Sequence, residues 1–314
     1  NIYMEQSAVR DGVTAEEVKG ILLGMASGQE TLLGYFRRFI RNFEKRVGIN
    51  RTVGSLRAYS NAYSHIERFL QAQYKLSDIP FSALDRSFID KYDLYLRTER
   101  NLAPGTIINL TVQLKTIVGE AIADGIITAS PFIGYEPVRP KHVQKYLTAE
   151  ELHRIMTTPL HRQTLYHVRD MFLFSCFTGI PYGDMRLLTK DNLCLAEDGI
   201  WWIKSARQKT KIEFEIPLLD LPLQILKKYS GTAPGDKLLP MYCNSTLNLY
   251  LKEIARICHI DRPLVFHAGR HTYATEITLS HGVPLETVSR MLGHSQIETT
   301  QIYAKVTDEK IDAD

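Results

Sequence analysis

The sequence has few cysteines and no long apolar run among its 314 residues. Cys176, Cys194, Cys243 and Cys258 lie too far apart for the paired spacing of a zinc site. A chain of this length needs no disulfide framework, so the cysteines indicate free thiols in a reducing cytoplasm. No apolar run approaches the roughly 20 residues that a membrane-spanning helix needs, so we expect no contact with a membrane.

The sequence also lacks a glycine-rich phosphate loop, a Walker lysine and a cluster of acidic residues. We therefore expect no nucleotide, metal ion or other cofactor. The net charge of +3 is too small to indicate a nucleic acid partner by itself. A hydrophobic share of 44% excludes a disordered chain and suffices for two domains of roughly 100–200 residues.

Positive charge is concentrated near the start of the chain. Between residues 37 and 57 the only acidic residue is Glu44, whereas seven residues are basic. Such a local concentration is typical of a phosphate-binding face, although a solvated helix face has the same composition. We call these residues the basic stripe: Arg37, Arg38, Arg41, Lys45, Arg46, Arg51 and Arg57.

The first 140 residues have the pattern of a helical bundle. Apolar residues recur every three or four positions over residues 52–74 and 104–124, and shorter patterns cover residues 15–25, 31–47 and 86–97. Residues 130–145 contain three prolines and several basic side chains, which predicts a stiff linker.

The second domain mixes helices with a small sheet. Thr148 and Glu151 form a capping-box pattern, and an apolar helix is expected over residues 168–177. Strands are expected at residues 200–203 and 212–216, on either side of a polar, basic tip. Further helices are expected at residues 221–229, 245–258, 268–280, 285–292 and 295–304.

Four motifs in the second domain together indicate a function. Individually, a histidine three residues before an arginine, or a tyrosine at helical spacing, is a weak signal. Their order is specific, because TGIPYGDM, RQKT, HAGRHTYAT and LGHSQIETTQIYAK follow one another behind a helical domain. From about residue 30 to the end, the chain resembles the tyrosine recombinases (the phage-integrase family), and most closely the integrases of bacterial mobile elements.

The resemblance implies six catalytic residues. Tyr303 would attack a DNA phosphate and form a 3′-phosphotyrosyl bond. Arg270 and His294 would donate hydrogen bonds to the phosphate oxygens. Lys209 would protonate the leaving 5′-oxygen, and His267 would assist proton transfer at the tyrosine. The sixth residue is an arginine, and its identity is open.

The sequence departs from the family pattern at one catalytic position. The family has an arginine two residues after the glycine of T-G-x-R, and Pro181 stands there. Arg207 and Arg186 are the two candidates for the missing guanidinium. We favour Arg207, because on an extended strand it would leave the same face as Lys209.

The resemblance also implies the domains and the partners. The expected domains are a helical core-binding (SAM-like) domain at residues 29–129, a linker at 130–145 and a catalytic domain at 146–314. They would surround duplex DNA as a homotetramer, and accessory DNA-bending proteins are further expected partners. Residues 1–28 would be the tail of a missing arm-binding domain, and residues 305–314 could pack on a neighbouring subunit. The expected DNA contacts are the basic stripe together with Lys204, Gln208 and Lys211, and candidate base contacts are Tyr59, Asn61, Tyr63 and Ser64.

Three functions remain open at this point. The first is a recombinase that integrates, excises or inverts a mobile element such as a prophage or conjugative transposon, at the nucleoid. The second is a type IB topoisomerase, which uses the same chemistry without a tetramer. The third is a catalytically silent DNA-binding relative, suggested by Pro181.

Overall fold

The computed structural model describes Lys19, residues 29–139 and residues 145–311, with side chains up to residue 304. The chain divides into two compact units, Asn1–His142 and Val143–Asp314. Most of the described residues are helical, and the second unit contains a three-stranded antiparallel sheet. The predicted fold class is therefore confirmed. The expected helix at residues 15–25 lies outside the described residues, apart from Lys19.

The first unit is built from helices that begin where their capping residues predict. The side chain of Thr52 accepts a hydrogen bond from the backbone N–H of Ser55, and Asp85 caps the N–H of Phe88 at 2.7 Å. Pro104 occupies the first turn of its helix. The helices are α1 (Leu32–Glu44), α2 (Val53–Phe69, continued by a π-helical turn, Leu70–Tyr74), α3 (Arg86–Thr98) and α4 (Pro104–Ala123), with a 3₁₀ turn at Phe81–Ala83.

Buried aromatic and aliphatic side chains from all four helices form the core of this unit. The start of α1 is held by Asp78, whose carboxylate accepts from the N–H groups of Leu33 at 2.8 Å and Gly34 at 2.9 Å. Phe132 is only 4% exposed and belongs to the same core. The first residues of the expected linker therefore pack on the first unit.

The second unit packs its helices around one long buried helix. Thr148 and Glu151 form the predicted capping box. The helices are α5 (Ala149–Thr157), α6 (Gln163–Thr178), α7 (Tyr182–Met185), α8 (Asp220–Lys228), α9 (Asn244–Ile257), α10 (Ala268–Thr272), α11 (Leu285–Leu292) and α12 (Glu298–Ile311). Helix α6 is buried on most sides and packs against α8, α9 and α10.

The sheet is a meander in the order β1–β2–β3, formed by Leu193–Leu195, Trp201–Ala206 and Glu213–Pro217. The two predicted strands pair with Ile203 opposite Ile216 and Lys204 opposite Glu215. Ile203, Phe214 and Ile216 are buried, so one face covers the core. Strand β1 was not expected, because three residues are too short to show a period of two.

The helix expected at residues 268–280 is interrupted. After α10 the chain forms a π-helix, Tyr273–Thr278, and then a 3₁₀ turn, Leu279–His281. The hydroxyl of Thr278 donates to the carbonyls of Tyr273 and Ala274. Gly269 allows α10 to approach α6, because a Cβ there would lie 2.9 Å from Ser175 Oγ.

The helices within the described ranges include none with the length and apolar character that crossing a membrane requires.

Candidate active site

Arg270 lies at the centre of the site and is only 4% exposed. Its side chain leaves α10 and donates from Nη1 to the carbonyl of Gly179 at 2.9 Å. Its Nη2 donates to the carbonyl of Leu292 at 2.7 Å. Two backbone carbonyls therefore hold the plane of the guanidinium.

Both carbonyl groups belong to helix ends. Gly179 terminates α6 and Leu292 is the last residue of α11, and the last carbonyls of a helix lack intrahelical partners. These ends also carry partial negative charge, which stabilises a buried cation. Gly179 and Gly293 have φ angles of 68° and 62°, so both helices end in the left-handed conformation that glycine favours.

His294 accepts a hydrogen bond from Arg270. The distance from Arg270 Nη2 to His294 Nε2 is 2.8 Å, and a guanidinium can only donate. Nε2 must therefore carry the lone pair, and the proton is assigned to Nδ1, which lies 2.7 Å from Thr300 Oγ1. Burial, Arg270 and Arg207 lower the pKa of His294 to about 4, which agrees with a neutral ring.

Tyr303 lies beside these two residues on α12. Its ring is parallel to that of His294, with centroids 6.5 Å apart and an angle of 7° between the planes. The side chain is 5% exposed, and burial raises its pKa, although Arg270 and Arg207 oppose this effect. The phenol is therefore protonated in the free protein and lies next to fixed positive charge.

His271 separates Tyr303 from the predicted acid-base group, His267. The ring of His271 contacts that of Tyr303 at 5.3 Å and that of His267 at 4.8 Å between centroids. Burial, followed by the charge of His267, lowers the pKa of His271 to about 4. Burial and Arg270 also lower the pKa of His267. Sequence reasoning missed His271, because only the fold brings its ring between those of Tyr303 and His267.

Arg207 extends into the same site. Its Nη1 donates to the carbonyl of Leu292 at 3.4 Å, the oxygen that also accepts from Arg270. Its Nε lies 2.9 Å from Asp184 Oδ2, an ion pair in which the N–H is not well aligned with the oxygen. Asp184 belongs to α7, the short helix that Pro181 begins. Arg207 is therefore tied to the turn where the family arginine is missing.

The reason given for favouring Arg207 is wrong, although the side chain reaches the site. Strand β2 ends at Ala206, and Lys209 lies in the turn that follows, so the alternation of a strand does not apply to the pair. The loop closes when the N–H of Lys211 donates to the carbonyl of Arg207 at 2.8 Å. Lys209 is exposed on this loop, and Arg186 is exposed at the end of α7.

The basic stripe extends over α1, the turn after it and the start of α2, and all seven of its residues are exposed. They differ in the groups they contact within the protein. Arg37 donates to Tyr63 Oη at 2.5 Å and lies over its ring. Three other arginines line a pocket of 390 Å³ whose wall also contains Glu120 and Asp124; they are Arg38, Arg46 and Arg51.

The remaining candidate DNA contacts differ in exposure and in what they contact within the protein. Lys204 pairs with Glu215 across the sheet at 3.3 Å. Gln208 and Lys211 are exposed on the loop after β2, and the Gln208 N–H donates to Asp184 at 2.9 Å. Tyr59 packs in an aromatic cluster, Asn61 is exposed and Ser64 is half-buried on α2.

The described side chains include no group of three histidine, cysteine, aspartate or glutamate residues that could hold a metal ion. The site instead brings together a buried guanidinium, a neutral imidazole and a protonated phenol. This combination can bind a tetrahedral anion and attack it with the phenol.

The chain belongs to the phage integrase family. The model of the Phage integrase family matches residues 145–310, and that of the Phage integrase SAM-like domain matches residues 31–137.

Known proteins agree with this assignment in sequence and in fold. The chain is 26% identical to tyrosine recombinase XerD of Listeria monocytogenes serovar 1/2a over 273 residues, which cover 82% of this chain and 89% of that protein. It is 26% identical to XerD of Staphylococcus saprophyticus over 297 residues, 90% of this chain and 96% of that one.

Among solved structures, a lambda integrase dimer bound to a COC′ core site matches with a TM-score of 0.70 at 18% identity, covering 87% of this chain and 95% of that one. A Tn1549 transposon integrase in complex with transposon right-end DNA matches with a TM-score of 0.67 at 18% identity, covering 90% of this chain and all of that one (100%). These two likenesses concern the fold.

Proposed function

We propose that this chain is a site-specific DNA recombinase that cuts and rejoins duplex DNA through Tyr303. The observation that carries the proposal is the contact of Arg270 with His294 and of His294 with Tyr303. Arg270 comes from α10, His294 from the turn between α11 and α12, and Tyr303 from α12, and together they place a nucleophile beside donors suited to a phosphate. Membership of the phage integrase family supports the same reaction.

In the first step, the oxygen of Tyr303 attacks the phosphorus and forms a 3′-phosphotyrosyl bond. The bond from phosphorus to the 5′-oxygen breaks, and Lys209 on the loop after β2 gives that oxygen a proton. The phenol proton leaves towards the imidazoles of His271 and His267. Arg270 and His294 stabilise the negative charge that develops on the non-bridging oxygens.

Arg207 supplies the guanidinium that Pro181 removes from the family pattern. It shares the Leu292 carbonyl with Arg270, so the two cations lie on one side of the site. Asp184 compensates the second charge at 2.9 Å and keeps Arg207 in place. This contact weighs against the silent DNA-binding alternative.

The first unit holds the duplex through the exposed basic stripe. Phosphate contacts of this kind give affinity that falls steeply with salt and carry little sequence information. Strand exchange proceeds in a homotetramer through a Holliday junction when the 5′-hydroxyl of a partner strand attacks the phosphotyrosyl bond. The enzyme acts at the nucleoid in integrating, excising or inverting a mobile element, together with accessory DNA-bending proteins.

Covalent trapping tests the proposal. Nicked suicide duplexes with a pooled random core are incubated with the wild type and with Tyr303→Phe in EDTA. We expect an SDS-resistant, protease-sensitive complex with the wild type alone, and sequencing of the trapped DNA gives the site. Tight duplex binding without a covalent complex would support the silent alternative. Relaxation of supercoils by monomers would support the topoisomerase alternative.

A further inference from the structure

Thr300 connects the helix that carries the nucleophile to the central imidazole. It lies one turn before Tyr303 on α12 and is fully buried, with 0% exposure. Its hydroxyl oxygen is 2.7 Å from His294 Nδ1. The other nitrogen of that ring is 2.8 Å from Arg270. Both nitrogens of His294 therefore have fixed partners in the free protein.

The two partners of His294 differ in whether they can donate or accept a hydrogen bond. Arg270 only donates, which forces Nε2 to accept and places the single proton on Nδ1. In that state the Thr300 hydroxyl accepts. A phosphate oxygen requires the opposite tautomer. Because it only accepts hydrogen bonds, Nε2 must carry the proton to bind it.

A hydroxyl is the one uncharged side-chain group that serves both states without moving, since it donates and accepts through the same oxygen. We propose, on the basis of the function above, that Thr300 is a positioning residue that holds His294 in either tautomer, one pairing with Arg270 in the free enzyme and the other donating to a DNA phosphate. In the exchange, Nε2 takes a proton from water and Nδ1 releases one, so no net proton is bound. The Thr300 hydroxyl turns from acceptor to donor.

The groups that face His294 agree with a neutral ring in the free enzyme. Arg270 and Arg207 present positive charge, and Tyr303 contributes a protonated phenol. A second proton on the imidazole would meet two cations. An anionic phosphate offers Nε2 only acceptor oxygens, whereas the two arginines still oppose a second proton on the ring. DNA binding is therefore the event that requires the single proton to be on Nε2.

Three variants test the proposal. Thr300→Val keeps the shape and removes the hydroxyl, Thr300→Ser restores it, and Thr299→Val makes the same change at the exposed neighbouring position. With the duplex recovered by trapping, we expect Thr300→Val to bind within about twofold of the wild type. Its cleavage rate should fall roughly tenfold to a hundredfold. This is the range found when a metal-ligating histidine loses the group that hydrogen-bonds its second ring nitrogen. Thr300→Ser and Thr299→Val should cleave like the wild type.

Nitrogen-15 NMR of the imidazole gives a readout that does not depend on the Thr300 variants folding. We expect the signal of a proton on Nδ1 in free wild type, and a proton on Nε2 when Tyr303→Phe binds the trapped duplex. Wild-type cleavage by Thr300→Val, or a proton that stays on Nδ1 in the complex, with or without a second proton on Nε2, would overturn the proposal. A wild type that forms no covalent complex would instead contradict the proposed function.

Discussion

Replacing Arg207 with alanine should abolish cleavage and also weaken the fold, and the two effects can be separated. Removing one donor aimed at the transition-state oxygens lowers a rate by about 10²–10³, equivalent to about 2.7–4 kcal/mol. The side chains of Arg207 and Asp184 are 16% and 6% exposed, so the variant leaves a carboxylate buried without its cation. Breaking such a pair costs about 3–5 kcal/mol of stability.

The double variant Asp184→Asn with Arg207→Ala distinguishes the two effects. It removes both charges while the asparagine oxygen can still accept from the Gln208 N–H, a contact of 2.9 Å in the wild type. The double variant should therefore regain most of the free energy of unfolding that Arg207→Ala loses, as measured by urea unfolding. Covalent trapping should remain at the level of the single variant, because the guanidinium is still missing.

Arg186→Ala is the matched control, because this arginine is exposed at the end of α7. We expect it to cleave and unfold like the wild type. Recovery of cleavage along with stability in the double variant would refute the catalytic assignment of Arg207 and leave it a structural role only. Loss of cleavage in Arg186→Ala with activity in Arg207→Ala would transfer the role to Arg186.

Three further predictions concern binding, pH and folding. The double variant Arg41→Ala with Lys45→Ala should reduce the steepness of log affinity against log salt by roughly 2, at about 0.9 per lost phosphate contact. The double variant Arg38→Ala with Arg46→Ala should reduce it less, because those arginines face a pocket that also contains Glu120 and Asp124. Equal slopes in the two variants would contradict this difference within the basic stripe. Because the pKa of His271 is lowered to about 4 in the folded protein, the unfolded chain binds more protons below about pH 6.5. The free energy of unfolding should therefore fall as the pH drops from about 6.5 to about 4, and it should fall less in His271→Phe. Identical pH profiles of the two proteins would count against this burial effect. Gly179→Ala should destabilise the protein by about 1–3 kcal/mol or more, because a Cβ would lie 2.5 Å from Tyr273 Cδ1. Gly231 also has a positive φ, but a Cβ there would meet nothing within 4 Å. In urea unfolding, Gly231→Ala should therefore lose only the roughly 1–2 kcal/mol that the left-handed conformation costs.

The helices and the order of the motifs could be predicted because they depend on local patterns. The capping box at Thr148 predicted where one helix begins, and the period of the apolar residues predicted which helix faces are buried. The break after α10 could not be predicted, since a π-helix has no distinct apolar period. Strand β1 was missed because three residues carry too little pattern.

The motifs named three of the residues that meet at the candidate site, Arg270, His294 and Tyr303, but not their contacts. The contact of Thr300 with His294 depends on the turn between α11 and α12, and that of Asp184 with Arg207 depends on two segments that meet only in the fold. Arg207 was chosen for a strand geometry that the chain does not have, and the residue assignments remain predictions. The basic stripe was defined by charge alone, and helix packing places part of it against a pocket with acidic residues.

Mapping the covalent bond tests the central claim most directly. The trapped complex formed in EDTA is digested with protease and nuclease, and the modified peptide is sequenced by mass spectrometry. The account predicts a nucleotide attached through its 3′-phosphate to Tyr303, one of 16 tyrosines in the chain, and none in Tyr303→Phe. Attachment to another residue, or an equal yield from Tyr303→Phe, would contradict the account.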